Sequence, residues 1–478
     1  MTLRRLAGLS LLGTAATASA DPSLTIYNQN FAVVRDTLPL DLKAGVNEAR
    51  FSGMTGLAET DSVILRDSAG KAKFQILEQA YRNDPVSSGL MLQLNEGKTI
   101  DFFVREPNKP DRTVQGTIIR SGYSPGGQIT QPIIEVEKKL QFSLPGEPIF
   151  PALGDDTILN PTLTWTLNSA EPAKFDAEIA YVTGGLSWKS DYNIVAADKG
   201  DTIDLVGWIT FNNQSGTGFK QAKVKLMAGD VNKVQPQAMS MRAMGGIKRD
   251  MAAAAMDEPV SEKSFAEFHL YTIGRPVTLR SQETKQVEFI RSTGVKAPKI
   301  YVYDGATMNY GAWNYYRGEG EYGVPTNKKV WTLREFKNSK DNNLGMALPK
   351  GRLRFYSQDD DGSLQFTGEN NIDHTAKDET VRVYLGNSFD LVGERRRTAY
   401  KVDSSNKWLD ETFEVKLRNH KKEPIEIRVV EHLSRFDNWE LKEKSDDFRK
   451  LDSHTIEFPV TVKPDEEKIV TYKVHYTW

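Results

Sequence analysis

Apolar and polar residues alternate with a period of two along almost the whole chain, and that rhythm constrains the fold more than any other feature. Successive side chains of a strand point to opposite faces, so a period of two marks a strand with one buried face. Leu24-Thr25-Ile26-Tyr27, Val381-Arg382-Val383-Tyr384-Leu385, Phe413-Glu414-Val415-Lys416-Leu417 and Ile425-Glu426-Ile427-Arg428-Val429 carry it clearly. The expected fold class is all-β: a multi-domain β-sandwich architecture with a small N-terminal β-rich domain and few helices. Asp361-Gly362, between Phe355-Tyr356 and Leu364-Gln365-Phe366, is a hairpin signal of the kind that needs positive φ. One helix is expected near Asp84-Pro85, with Asp84 as cap, Pro85 at the first helical position and Leu90, Leu92 and Leu94 running to a stop at Gly97. That spacing also fits a strand.

Composition shifts divide the chain. Arg4-Arg5, a short apolar run from Leu6 to Leu12, and Ala18-Ser19-Ala20 ahead of Asp21 read as a cleavable export signal over residues 1–20. Residues 21–150 form the expected N-terminal unit, closed by Pro145, Pro148 and Pro151. Strands over 160–235 carry Trp165, Trp188 and Trp208, expected as sandwich-core anchors. Residues 236–260 hold five of the 11 methionines, Gly245-Gly246 and Ala252 to Ala255, and are expected as a flexible loop rather than a soft-metal site. Strands resume over 261–478.

Charge and residue types exclude several functions. Lys and Arg number 62 against 64 Asp and Glu, for a net charge of −2, without the basic surplus of a duplex binder, so nucleic acid is not an expected partner. The chain contains no cysteine, and hence neither disulfide nor thiol chemistry. None of the six histidines, at 269, 374, 420, 432, 454 and 475, pairs with another at the i, i+4 spacing of a helical zinc site. Gly318-Glu319-Gly320-Glu321-Tyr322-Gly323 matches a dinucleotide fingerprint but runs into Val324-Pro325 where a helix should open. Asp359-Asp360-Asp361-Gly362 resembles a calcium loop but has Gly368 where a bidentate glutamate belongs. No catalytic residue, metal ligand or cofactor is assigned.

Three surface features remain. Tyr301, Tyr303, Tyr310, Trp313, Tyr315, Tyr316 and Tyr322 fall within 22 residues beside polar neighbours, and the candidate binding residues taken from them are Tyr310, Trp313, Tyr315, Tyr316 and Arg317. Arg395-Arg396-Arg397 is the sharpest basic cluster, read either as an anion-holding patch or as a solvated strand end. Val470, Tyr472, Val474, Tyr476 and Trp478 alternate up to the carboxy-terminus, as in the last strand of a sandwich or the terminal strand of an outer-membrane barrel.

Several stretches resemble a family of bacterial exported proteins called domain of unknown function 4139. They are Tyr181 to Asn193, Gly207 to Gly216, Lys225 to Asn232, Asn343 to Tyr356 and Leu364 to Asn370, and the resemblance covers roughly residues 160–478. It is related to proteins named mucoidy inhibitor A, and implies an envelope setting, an influence on exopolysaccharide and no established catalytic residues. The long heptad-bearing segment of that relative is missing from the amino-terminal region here. The resulting expectation is an exported protein of the periplasm or cell envelope that binds or scaffolds, with a glycan or another envelope protein as partner. An outer-membrane barrel and an envelope hydrolase with a site assembled from sequence-distant residues stay open, as do membrane association and oligomeric state.

Overall fold

The computed structural model describes residues 21–107, 110–124, 130–154, 157–197, 200–229, 231–233, 260–265, 268–306, 323–359 and 361–478. Strands dominate these residues, and the fold is all-β with several separate sheets. No helix among them is long and apolar enough to cross a membrane.

The first sheet has eight strands and draws them from distant parts of the chain. Ser23–Tyr27 lies between Phe31–Leu42, its antiparallel neighbour, and Phe219–Ala228, its parallel one, with Ser23 opposite Lys223 and Tyr27 opposite Met227. Ala173–Gly184 flanks the other edge of Phe31–Leu42. A three-stranded sheet places Thr162–Ser169 between Gly45–Ser52 and Phe74–Arg82. The pairing therefore runs across the boundary expected near residue 150. One apolar core joins these segments: Leu24, Trp165, Trp188, Phe211, Tyr271, Phe289 and Val383 belong to the same buried cluster. Trp208 differs from Trp165 and Trp188 in standing opposite Asp191 on the polar face of its sheet, only half-buried.

Between Phe74–Arg82 and Thr162–Ser169 sits a smaller five-stranded sheet, from Thr99–Val104 to Glu147–Ile149, packed on its own core of Leu92, Ile100, Phe102, Ile118, Ile134 and Val136. The helix beside it spans Ser88–Leu94, later than expected, because Ser87 takes the cap: its hydroxyl accepts from the Leu90 N–H at 3.2 Å. Asp84 is engaged elsewhere, accepting two hydrogen bonds from Arg82 at 3.1 and 2.6 Å. The helix is closed by Asn95, whose side-chain amide donates to the Met91 carbonyl at 2.8 Å, and Gly97, at φ 79°, stands two residues beyond that cap.

A second five-stranded sheet runs Glu283–Lys296, Thr202–Asn213, Leu186–Ala197, Gly351–Gln358 and Leu364–Ile372. The last two form the expected hairpin, with Gly362 at φ 83° and Asp361 Oδ1 accepting from the Ser363 N–H at 2.8 Å. The nine-stranded C-terminal sheet then curls on itself. Phe458, near one edge, stacks on Tyr472, near the other, with ring centres 5.7 Å apart. Its 24-residue strand Thr380–Asp403 serves both large cores, Val381 and Val383 in the first and Leu391 in the second.

In the final strand, Val470, Tyr472, Val474 and Tyr476 are buried, and Lys473 and His475 turn outward onto Asp410 at 3.2 and 2.6 Å. Trp478 stacks on Phe436 at 4.4 Å. Apolar inside and charged outside is the sandwich pattern, and the inverse of the apolar outward band of a membrane barrel.

Candidate binding cleft

Two places gather charge, and their sizes separate them. The first lies inside the curled C-terminal sheet. Arg395 Nε donates to both oxygens of Glu431 at 3.0 and 2.9 Å, and Tyr472 donates to Glu431 Oε2 at 2.6 Å. Beside them Glu411 accepts from Arg435 at 3.0 and 2.8 Å and from Arg397 at 3.1 Å. Burial raises the Tyr472 hydroxyl well above its ordinary value, with the Glu431 charge adding to it. The void among these residues is about 10 Å³, space for about one water and no ligand. The basic triplet is thus split by strand alternation: Arg395 and Arg397 point into this network, and Arg396 faces solvent against Glu414 at 2.8 Å.

This network holds the base of the aromatic segment. Arg395 Nη1 donates to the Gly323 carbonyl at 2.6 Å, Tyr303 donates to the Asn327 carbonyl at 2.8 Å, and Ala306 bridges Thr326. Tyr301 and Tyr303 are core residues of the sheet, so two rings of the sequence cluster are spent on packing. Tyr310, Trp313, Tyr315, Tyr316 and Arg317 lie outside the described residues, as does the methionine-rich stretch from 234 to 259.

His432 sits at the same base, 3.1 Å from Asp304 Oδ2. The hydrogen bond to Asp304 raises the imidazole pKa above its ordinary 6.5 against the opposing effect of burial. A raised folded-state value means the pair stabilises fully below pH 6.5 and loses its contribution as pH climbs through the folded value. Thermal unfolding midpoints between pH 5 and 9 should therefore fall more steeply for the wild type than for His432→Gln; parallel curves would show the pair to be neutral.

The second place is a cleft of about 640 Å³, within the range of about 300–1,000 Å³ typical of small-molecule sites. Its floor is the polar face of the second five-stranded sheet. Leu186–Ala197 and Gly351–Gln358 run parallel there, Asp191 opposite Arg352 and Asn193 opposite Arg354, and the hairpin sets Asn371 beside Arg352 and Glu369 beside Arg354. Directly opposed residues share a face, so this register alone brings Lys189, Asp191, Arg352, Arg354, Glu369 and Asn371 together. Gly351 allows the close approach: a Cβ there would lie 2.3 Å from the Ser190 carbonyl oxygen. Behind the floor, Tyr192 donates to the Pro349 carbonyl at 2.6 Å and Ser190 to that of Lys350 at 2.9 Å, fixing the strand entry. Lys350 N–H donates to His374 Nδ1 at 3.2 Å, which leaves the proton of a neutral ring on Nε2.

The polar groups of the cleft are loosely held. Asp191, nearly buried, has Lys189, Arg352 and Arg354 at 3.7, 3.6 and 3.8 Å, all beyond hydrogen-bond distance. Glu369 lies 3.9 Å from Arg352 and 3.5 Å from Arg354. Across the cleft, both amide atoms of Asn28 are buried without a hydrogen-bond partner. None of these residues was singled out as a site from sequence, although Lys189 and Asp191, Lys350 to Arg354, and Glu369 fall in three stretches noted for their family resemblance. Alternating polar residues on a strand read as an ordinary solvent face, and only the register shows that they converge.

An all-β chain of several packed sheets with a polar cleft on one sheet face defines the class. The family model described as Domain of unknown function (DUF4139) matches residues 177–478, well over half the chain, and the chain belongs to that family. No curated protein matches it.

Proposed function

We propose that this is an exported cell-envelope protein with a non-catalytic binding or scaffolding role towards a glycan or another envelope protein, and that the cleft over Arg352 and Arg354 is its ligand site. The observation that carries this reading is the cleft's volume combined with the partly exposed side chains of Arg352 and Arg354, which meet Asp191 and Glu369 only at 3.5 to 3.9 Å. Such groups favour a ligand that supplies the missing bonds. Export rests on residues 1–20, whose basic start, short apolar run and Ala-Ser-Ala end suit signal cleavage before Asp21. The aromatic residues Tyr310, Trp313, Tyr315 and Tyr316 with Arg317 are a second candidate for binding, supported by their density in the sequence.

Fractionation of the producing cell tests the envelope reading. The mature protein should be recovered from periplasm or salt-washed envelope, starting at Asp21. Retention of the first twenty residues in a cytoplasmic pool would contradict export, and recovery only in detergent would favour the membrane barrel.

A further inference from the structure

Arg352 and Arg354 point to the kind of ligand. Their side chains are partly exposed, at 39% and 28%, and their guanidiniums carry five N–H donors each. Among the described residues their only close charged partners are Asp191 and Glu369, at 3.5 to 3.9 Å and without a donated hydrogen bond. A guanidinium committed to holding the fold looks different here: Arg395 makes paired bonds to Glu431 at 2.9 and 3.0 Å. Charge points the same way. The cleft lining balances Lys189, Lys350 and Arg352 against Asp191, Glu369 and Asp373, and Arg354, 3.8 Å from Asp191, adds one positive charge beside it. Asn371 adds an exposed neutral amide on the cleft wall, suited to hydroxyl or amide groups.

Resting on the cleft being the ligand site, we infer that it takes an oxyanion-bearing, hydroxyl-rich small ligand, its carboxylate or phosphate lying between Arg352 and Arg354 and its neutral polar part against Asn371. The guanidinium fork matches the planar carboxylate and the phosphate alike, and water now solvates the donors that the anion would take.

Calorimetric titration of the full-length mature protein with glucuronate, glucose 6-phosphate, glucose and glucosamine at low salt tests this. The two anions should bind at least tenfold more tightly than glucose or glucosamine, and whichever anion binds better identifies the headgroup. Arg352→Lys, which keeps the charge near Asp191 but removes the fork, should weaken the anions at least tenfold, and Asn371→Ala should weaken anions and glucose together. Equal binding of glucose and glucuronate, unchanged by Arg352→Lys, would overturn the anion inference while leaving the cleft as a binding site. Absence of heat from all four probes with folded protein would overturn the inference. Anion binding unaffected by both variants would place it elsewhere and remove the cleft as well.

Discussion

Replacing Glu431 by leucine should destabilise the protein by about 3–5 kcal/mol, because it leaves the buried Arg395 charge without its partner. Glu431 is fully buried and its carboxylate takes three close hydrogen bonds, two from Arg395 and one from Tyr472. The Arg395 guanidinium also lies 3.9 Å from the centre of the Phe413 ring, and the void beside it holds about one water, too little to rehydrate a charge that has lost its partner. Burial pulls the Arg395 pKa down, yet Glu431 and Tyr472 outweigh it and hold the pKa above its ordinary value. The combination Arg395→Met, Glu431→Leu, Tyr472→Phe should recover most of the loss, since an apolar replacement of similar shape removes the desolvation cost together with the pair. Denaturant unfolding midpoints check both. A single Glu431→Leu variant within 1 kcal/mol of the wild type would show that the network is more solvated than its geometry implies.

Trp165→Ala should cost a similar amount, about 3–5 kcal/mol, and its effect should spread beyond its own strand. Trp165 is 2% exposed in the large core, and its indole N–H donates to Gln79 Oε1 at 2.9 Å. Its strand is the centre of the three-stranded sheet, flanked on both sides by strands from the first 82 residues. Since the same core includes Leu24, Ile26, Val224 and Leu226, hydrogen exchange should accelerate in Ser23–Tyr27 and Phe219–Ala228 together. The part of the C-terminal sheet packed on its own core should keep its protection. Exchange confined to residues 162–169 would mean that the N-terminal strands hold independently of the rest.

These two sites also show what a single sequence can and cannot convey. Strand content is a local property, and the alternation at Phe413 to Leu417 or Val470 to Tyr476 is matched residue by residue in their burial. The Asp361-Gly362 hairpin is equally local, set by a turn that favours glycine at positive φ. Pairing between distant strands is not. Nothing in Ser23–Tyr27 indicates a parallel partner two hundred residues later, so the prolines near 150 mark only where one local segment ends. The helix start turned on which of two good caps was free, and the Arg82–Asp84 contact decided it for Ser87. Arg395 to Arg397 reads as one basic cluster in sequence, but a strand sends alternate members to opposite faces. The cleft was least visible, because Asp191, Arg352 and Asn371 become neighbours only through two separate strand pairings.

The most direct measurement is co-sedimentation of the full-length protein with the insoluble envelope fraction of its own cell, comparing the wild type with Arg352→Lys and with Asn371→Ala. The cleft reading predicts retention of the wild type and release of both variants, with free glucuronate or glucose 6-phosphate competing. Equal retention of all three proteins, unaffected by either free anion, would contradict a ligand site at the Arg352 and Arg354 cleft.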